Sequence, residues 1–160
     1  MATYTIEKKN FKDNHKTTNE VVLVDVLEID KAEDLLRIQS HIEAEIAEPI
    51  TKLTLNGLTK KSNYAFEGLK YCLVIEEGNC IGYGYGYLEG RDVFYIDTIA
   101  VAPEHRRKKV ATDIKAALVK YGFGFKDVNI VKAITQENNI GAIAINETLG
   151  LQLEGEKQEL

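Results

Sequence analysis

Four consecutive cationic side chains, Arg106-Arg107-Lys108-Lys109, stand between V-A-P-E-H and V-A-T in a chain whose formal net charge is −5 at pH 7. Cations gathered where a strand hands over to a helix make an anion site. The first turn of a helix has N–H groups without intrahelical partners, and the helix dipole adds its positive end at the same place. Phosphate is the common occupant. The pattern predicts a helix beginning near Arg106, where four cations need either solvent or a bound anion to compensate them. A solvated basic patch and a polyanion contact fit the charge alone equally well.

A second chemical group lies just upstream. Asp97 interrupts the apolar run V-F-Y-I-D-T-I-A-V, and in an unbroken strand it shares one face with Val93, Tyr95, Ile99 and Val101. A carboxylate in that company is a candidate general base, with a hydrogen-bonded structural acid as the plain alternative. His105 is a second candidate base, but beside a basic loop it reads as a bystander. The stretch I-G-Y-G-Y-G-Y alternates, so Tyr83, Tyr85 and Tyr87 line one face while Gly82, Gly84 and Gly86 leave the other bare for close packing. If Glu89-Gly90-Arg91 closes a symmetric hairpin, Tyr85 faces Tyr95 and Tyr83 faces Asp97, which builds an aromatic wall around the carboxylate. A one-residue slip puts them on opposite faces. Strand aromatics that cover core or a subunit contact are the simpler reading of the same row.

Those groups need a scaffold. Residues 71–76, 80–88 and 93–101 read as three strands of an antiparallel meander, separated by E-G-N and E-G-R-D turns. Apolar positions Val110, Ile114, Ala117, Leu118 and Tyr121 then mark one stripe of an amphipathic helix that stops at Gly122. Residues 128–134 form a strand. Asn138 or Asn139 caps a helix running to about Leu149, Gly150 is its C′ residue, and residues 151–153 start a last short strand. Earlier in the chain, residues 3–7 and 21–29 read as strands. A helix runs from the N-cap Asp30 to about Ala47, and a second covers residues 51–70 with a break at Asn56-Gly57. A strand–helix–strand unit after a meander implies a mixed sheet in which residues 93–101 and 128–134 are parallel neighbours joined by a right-handed crossover.

At 160 residues, 44% hydrophobic and 28% charged, the chain fits one domain, 1–160, with an ordinary core. Its acidity, with a pI near 5.3, argues against a nucleic-acid partner. No apolar run is long enough to span a membrane and the N-terminus lacks a signal-peptide pattern, so a cytoplasmic protein is expected. Cys72 and Cys80 flank a three-residue loop that pairs Glu76 with Cys80 and Cys72 with Gly84. The thiols then do not face each other, and two reduced structural cysteines with no metal site are expected.

Two motifs carry a resemblance. Val101-x-Pro103 followed by Arg106-Arg107-Lys108-Lys109-Val110-Ala111 resembles the V-x-P and R/Q-x-x-G-x-G/A of the GNAT N-acetyltransferases. The run from Asn139 to Leu151, N-I-G-A-I-A-I-N-E-T-L-G-L, resembles that family's N-x-x-A-[IV]-x-L-Y-x-x-x-G-F. The resemblance implies a three-layer α-β-α fold around a mostly antiparallel mixed sheet, splayed between two parallel strands. It also implies acetyl-CoA as the cofactor, with its pyrophosphate on Arg106, Arg107, Lys108, Lys109, Val110 and Ala111. The pantetheine arm then lies along Ile99, Ala100 and Val101, where a backbone N–H also stabilises the developing oxyanion, with Asn139 and Asn146 holding the same arm. Unpaired backbone groups on splayed strands suit an amide-bearing arm on physical grounds as well.

Two residues depart from the pattern. Lys109 replaces a glycine: a Cβ obstructs close backbone approach to phosphate unless the residue is plainly helical, which is the favoured expectation. Asn146 stands where many relatives have the tyrosine thought to protonate the leaving thiolate, and an amide cannot act as that acid. For the base, Asp97 is preferred, with Tyr95 at the position where several relatives place the carboxylate. The implied activity is acetyl transfer to a primary amine of a small molecule or peptide by direct attack in a ternary complex. A non-catalytic acyl-CoA sensor is the alternative. Only ten residues follow Gly150, too few for two closing strands, so either the last strand is missing or another chain, as in a homodimer, completes the sheet.

Overall fold

The alternation of tyrosine and glycine decides how the central sheet is covered. In the computed structural model, which describes residues 1–43 and 66–154, strand β4 (Asn79–Glu89) lies between β3 (Lys70–Glu76) and β5 (Val93–Val101), antiparallel to both. Its bare glycine face receives helix α2 (Val110–Phe123). A Cβ on Gly82 would stand 2.5 Å from a Val110 methyl, and one on Gly84 would stand 2.7 Å from Ile114. Glycine at these positions therefore sets how near α2 lies to the sheet. Because Val110 opens α2, the same contact fixes where the basic loop ends. The tyrosine face turns to α1 (Ile29–Glu43), and Leu27, Leu35, Ile38, Tyr71 and Tyr83 form a core there. On the α2 side, Phe94, Ile96, Val110, Ile114, Leu118 and Val131 form the other. Helix α3 (Ile140–Thr148) covers the α2 side through Ile143, with Leu149 packed just beyond its end. The result is three layers, α-β-α.

Among the described residues the sheet has seven strands in the order β2-β3-β4-β5-β6-β1-β7, completed by β1 (Ala2–Glu7), β2 (Val22–Val24), β6 (Ile130–Thr135) and β7 (Gln152–Leu153). Among these strands only β5 and β6 pair in parallel, as the strand–helix–strand order requires. The closing strand comes from the chain's own start. β1 pairs antiparallel with β6 from Ala2↔Thr135 to Glu7↔Ile130, and β7 adds to its far side. The strand beside β6, which the sequence reading left to a missing segment or to another chain, is supplied by the N-terminal strand.

This placement has a consequence for residues 8–21. β1 sits near one edge of the sheet and β2 forms the other, so the connecting strap must cross the outer side of α2. Phe11 packs on Phe123 with ring centroids 5.1 Å apart, Lys120 pairs with Asp13 at 3.1 Å, and a cleft of about 860 Å³ remains between strap and helix.

Several boundaries differ from the sequence reading. The strand expected over 21–29 shortens to Val22–Val24, and α1 starts at Ile29, one residue before the expected cap Asp30. The helix expected over 51–70 and the end of the one before it lie outside the described residues up to 65; from Phe66 a turn leads into β3. Helix α2 starts at Val110 rather than near Arg106, because Pro103–His105 form a separate 3-10 turn and Arg106 is extended. The hairpin after β3 closes on Glu77-Gly78, both at positive φ, with Glu76 opposite Asn79. A bulge at Val74/Ile75 then restores Cys72↔Gly84, so Cys80 faces Ile75. Both cysteines are free and buried, and burial pushes their thiols up, to about 12 for Cys72 and about 11 for Cys80. Among the described residues no helix is long and apolar enough to cross a membrane.

Candidate active site

The parallel pair β5·β6 holds together only from Val93↔Ile130 to Ile96↔Ala133. Past that point β5 continues to Val101 while still paired with β4, so one edge of Asp97–Val101 faces a gap. The direction of its backbone groups follows from one bond. Ala102 N–H donates to Ile81 carbonyl at 2.8 Å, toward β4, and N–H groups alternate along a strand. The N–H and C=O of Ile99 and Val101 therefore turn into the gap, while those of Ala100 turn to β4. Of the three consecutive positions singled out in sequence, the first and third present backbone to the opening.

The gap begins where β5 bulges. Gly86 faces Ile96 and Tyr85 faces Thr98, leaving Asp97 as the extra residue. The bulge reverses the alternation, so Ile99 and Val101 pack in the α2-side core while Tyr95 stays on the tyrosine side. The single face expected for Val93, Tyr95, Asp97, Ile99 and Val101 is thus broken at Asp97. The expected register fails as well. The turn is Gly90–Asp92, one residue later than supposed, and Tyr87 rather than Tyr85 faces Tyr95, while Tyr83 faces Ala100.

An aromatic wall nevertheless encloses the carboxylate. Tyr87 Oη donates to Asp97 Oδ2 at 2.8 Å, and Thr98 Oγ1 donates to Oδ1 at 2.9 Å while lying 3.3 Å from the Tyr85 hydroxyl. Tyr87 meets Tyr95 edge-on at 5.5 Å and Phe66 at 4.5 Å between centroids. Burial first, then the bond to Asp97, holds the Tyr87 phenol far above its ordinary range, so it stays a donor. Burial also raises Tyr95, with the Asp97 charge adding to the effect. Tyr87 was named in the aromatic row, but its bond to Asp97, like that of Thr98, was not readable in sequence, because it depends on the shifted register and the bulge.

At the end of β5 the basic loop leads into α2. Arg106, Arg107, Lys108 and Lys109 are all exposed, and among the described residues no carboxylate lies within ion-pair distance of any of them. The first backbone bond into the helix is Asp113 N–H to Lys109 carbonyl at 3.0 Å. The N–H groups of Val110, Ala111 and Thr112 therefore have no acceptor among the described residues, and no side chain caps the helix. Lys109 is not helical, contrary to the favoured expectation. It sits in the left-handed region at φ 66°, ψ 15°, and Arg107 has φ 65°. Glycine's usual place in this motif thus keeps glycine's conformation with a lysine in it, because the chain must reverse between the 3-10 turn and α2. Lys109→Gly is expected to hold stability within about 1 kcal/mol, the relief of the Cβ clash opposing added chain entropy. Lys109→Val, β-branched at positive φ, is expected to lose about 1–2 kcal/mol, and thermal melts of the pair decide it.

The strap fastens this loop from outside. Asp113, 1% exposed, accepts from His15 Nε2 at 2.8 Å, from Asn19 N at 2.7 Å and from Thr18 N at 3.2 Å. Asn19 Nδ2 donates to Lys108 carbonyl at 2.9 Å. Burial pushes the Asp113 carboxyl up, but these donors outweigh it and hold the group below its ordinary value. No sequence signal marked His15, Asn19 or Asp113.

The two asparagines on α3 part company. Asn139 is the N-cap and accepts from Ala142 N at 3.1 Å in the open. Asn146 is fully buried: its Oδ1 accepts from Lys115 Nζ and its Nδ2 donates to Thr135 Oγ1 at 3.1 Å. Lys115 is itself 6% exposed, and burial pushes its ammonium down to about 8.

Residues 34–151 match the family model described as Acetyltransferase (GNAT) family. No curated protein sequence matches significantly. Among solved structures, the fold is similar to that of the tandem GNAT protein from the clavulanic acid biosynthesis pathway, at 15% identity and TM-score 0.68. The match covers 95% of this chain and 49% of that one, so the chain spans about half that protein's length. It is also similar to an acetyltransferase of Trypanosoma brucei, at 19% identity and TM-score 0.65 over 83% of this chain and 93% of that one. An aminoglycoside N-acetyltransferase in complex with CoA shares 16% identity and a TM-score of 0.62 over 86% and 91%. With most of its length matched by the family model, and with the splayed sheet and basic loop in place, the chain belongs to the GNAT acetyltransferase family.

Proposed function

We propose that the protein transfers an acetyl group from acetyl-CoA to a primary amine of a small molecule or peptide by direct attack in a ternary complex. The observation that carries this reading is the gap itself: β5 and β6 part at Ile96/Ala133, and the exposed backbone leads straight to a cationic loop and an uncapped helix start. Bound there, acetyl-CoA supplies an acetyl group activated as a thioester. The N–H groups of Val110, Ala111 and Thr112 and the side chains of Arg106, Arg107, Lys108 and Lys109 suit its pyrophosphate. Backbone groups of Ile99 and Val101 suit the amide-bearing arm, and one N–H there serves the oxygen that gains charge. Asn139, exposed at the start of α3 with its Oδ1 taken by the cap, is assigned to the same arm through its amide N–H groups.

Asp97 is the base in this scheme. An amine is mostly protonated near neutrality and must lose a proton before it can attack. The carboxylate sits where the gap opens, and Tyr87 and Thr98 fix its orientation. Tyr95 forms a wall of the acceptor side rather than a proton acceptor, since its phenol is held protonated.

The test is thiol release from acetyl-CoA across small amines, polyamines and N-terminal peptides, together with calorimetric binding of CoA. Turnover with at least one amine class is expected. Tight CoA binding without thiol release for any amine would replace the enzyme with a sensor. The Arg106→Ala/Lys108→Ala variant is expected to weaken CoA binding by at least about tenfold, since each charge-assisted contact is worth roughly 1.5–3 kcal/mol. Unchanged affinity would remove the pyrophosphate assignment.

A further inference from the structure

Lysine on a helix normally keeps its ammonium in water, and Lys115 does not. Its side chain lies in the interior between α2, α3 and the end of β6, 6% exposed. One N–H goes to Asn146 Oδ1, and among the described residues the other two have no acceptor and no carboxylate faces the group. Asn146 in turn holds Thr135, the last residue of β6. Thr135 lies two positions beyond the last β5·β6 pair, where β6 has left β5, so the chain Lys115–Asn146–Thr135 ties α2 through α3 to the strand that borders the gap.

A buried ammonium without a counter-charge is costly to keep, and a leucine or methionine would fill the same space at less cost. Its presence calls for a role in the chemistry of the gap. We propose that Lys115 is the general acid that protonates the departing thiolate. The inference rests on the acetyl-transfer reading above. In the step, the acceptor's ammonium first gives a proton to Asp97, which passes it to solvent; the free nitrogen then adds to the thioester carbonyl carbon and Asp97 takes its second proton. The C–S bond then breaks with its electron pair on sulfur, and Lys115 Nζ gives that sulfur a proton. Solvent later returns one proton to Lys115 and receives one from Asp97, so charge and protons balance.

Burial matches the donor to this task. A Lys115 ammonium near 8 stands close to an ordinary thiol at about 8.5, whereas an exposed lysine would be a far weaker acid. Asn146 holds the ammonium by one bond and leaves its other N–H groups to donate, and Asp113, two residues earlier on α2, spends its charge on His15 and the strap.

The test reads the sulfur directly. CoA is bound to wild type and to Lys115→Met, and the thiolate absorbance is followed against pH. The bound thiol is expected to ionise about one pH unit lower in wild type, because the ammonium favours the thiolate. Acetyl transfer in Lys115→Met is expected to fall about 10–100-fold at unchanged KM for acetyl-CoA. Lys115→Gln, which keeps an N–H for Asn146, gives the same comparison if methionine disturbs folding. Identical thiol midpoints in wild type and variant, with CoA still bound, would overturn the role of Lys115 alone. Failure of CoA to bind wild type would instead overturn the reading on which it rests.

Discussion

Asp113→Ala is expected to destabilise the protein by about 3–5 kcal/mol, the usual cost of removing one partner from a buried charged cluster. The carboxylate gathers His15, Thr18 and Asn19 from a strap nearly a hundred residues away in sequence. Without it, two backbone N–H groups and an imidazole lose their acceptor beneath the strap. The basic loop is affected at the same time, since Asn19 also holds Lys108 carbonyl. CoA affinity is therefore expected to fall in Asp113→Ala although residue 113 faces away from the gap. Urea unfolding and CoA calorimetry measure the two effects. A stability loss below about 1 kcal/mol would show that the strap is held elsewhere.

The same group gives a pH signature with a definite sign. Asp113 has a folded-state pKa below its ordinary value of 3.8, so its contribution is complete above the unfolded pKa and vanishes as pH falls through the folded one. Wild type then loses stability more steeply than Asp113→Asn below about pH 4, and the two curves converge in acid.

How much of this was legible in sequence depended on distance along the chain. The three meander strands, the α2 stripe, the Asn139 cap and the Gly150 stop rest on local patterns, and the structure keeps all of them within a few residues. The bulge at Asp97 was not legible, since nothing in V-F-Y-I-D-T-I says that one residue will stand unpaired. Every face assignment beyond it therefore inverted. The helical conformation favoured for Lys109 failed because the helix starts at Val110, four residues later than expected, and demands a reversal just before it that side-chain types do not record. Nothing in the sequence singles out Lys115 from other lysines beside an apolar stripe; its burial and its bond to Asn146 show that it is enclosed. As for β1, its strand character was readable from T-Y-T-I-E, but its neighbour lies some 125 residues further on, and no local signal selects a partner at that range.

Deleting Ala2–Glu7 is expected to abolish the cooperative thermal transition. The strand buries Tyr4 and Ile6 in the α2-side core, at 6% and 3% exposure, worth about 1.5–3 kcal/mol each. It also carries the whole outer ladder of β6 and the only partner of β7 among the described residues. Those losses together approach the net stability of an ordinary domain, about 5–15 kcal/mol. The gap would suffer first, because β6 is its far wall, and a strand without a partner on either side of Thr135 cannot hold Asn146 and Lys115 in register. A peptide spanning the deleted strand, added in excess, is expected to restore both the melting transition and CoA binding by pairing again between β6 and β7. If the shortened chain melts as wild type does, with CoA affinity unchanged, the closing strand is not needed to set the gap, and the wall assigned to Thr135 must be held by α3 alone.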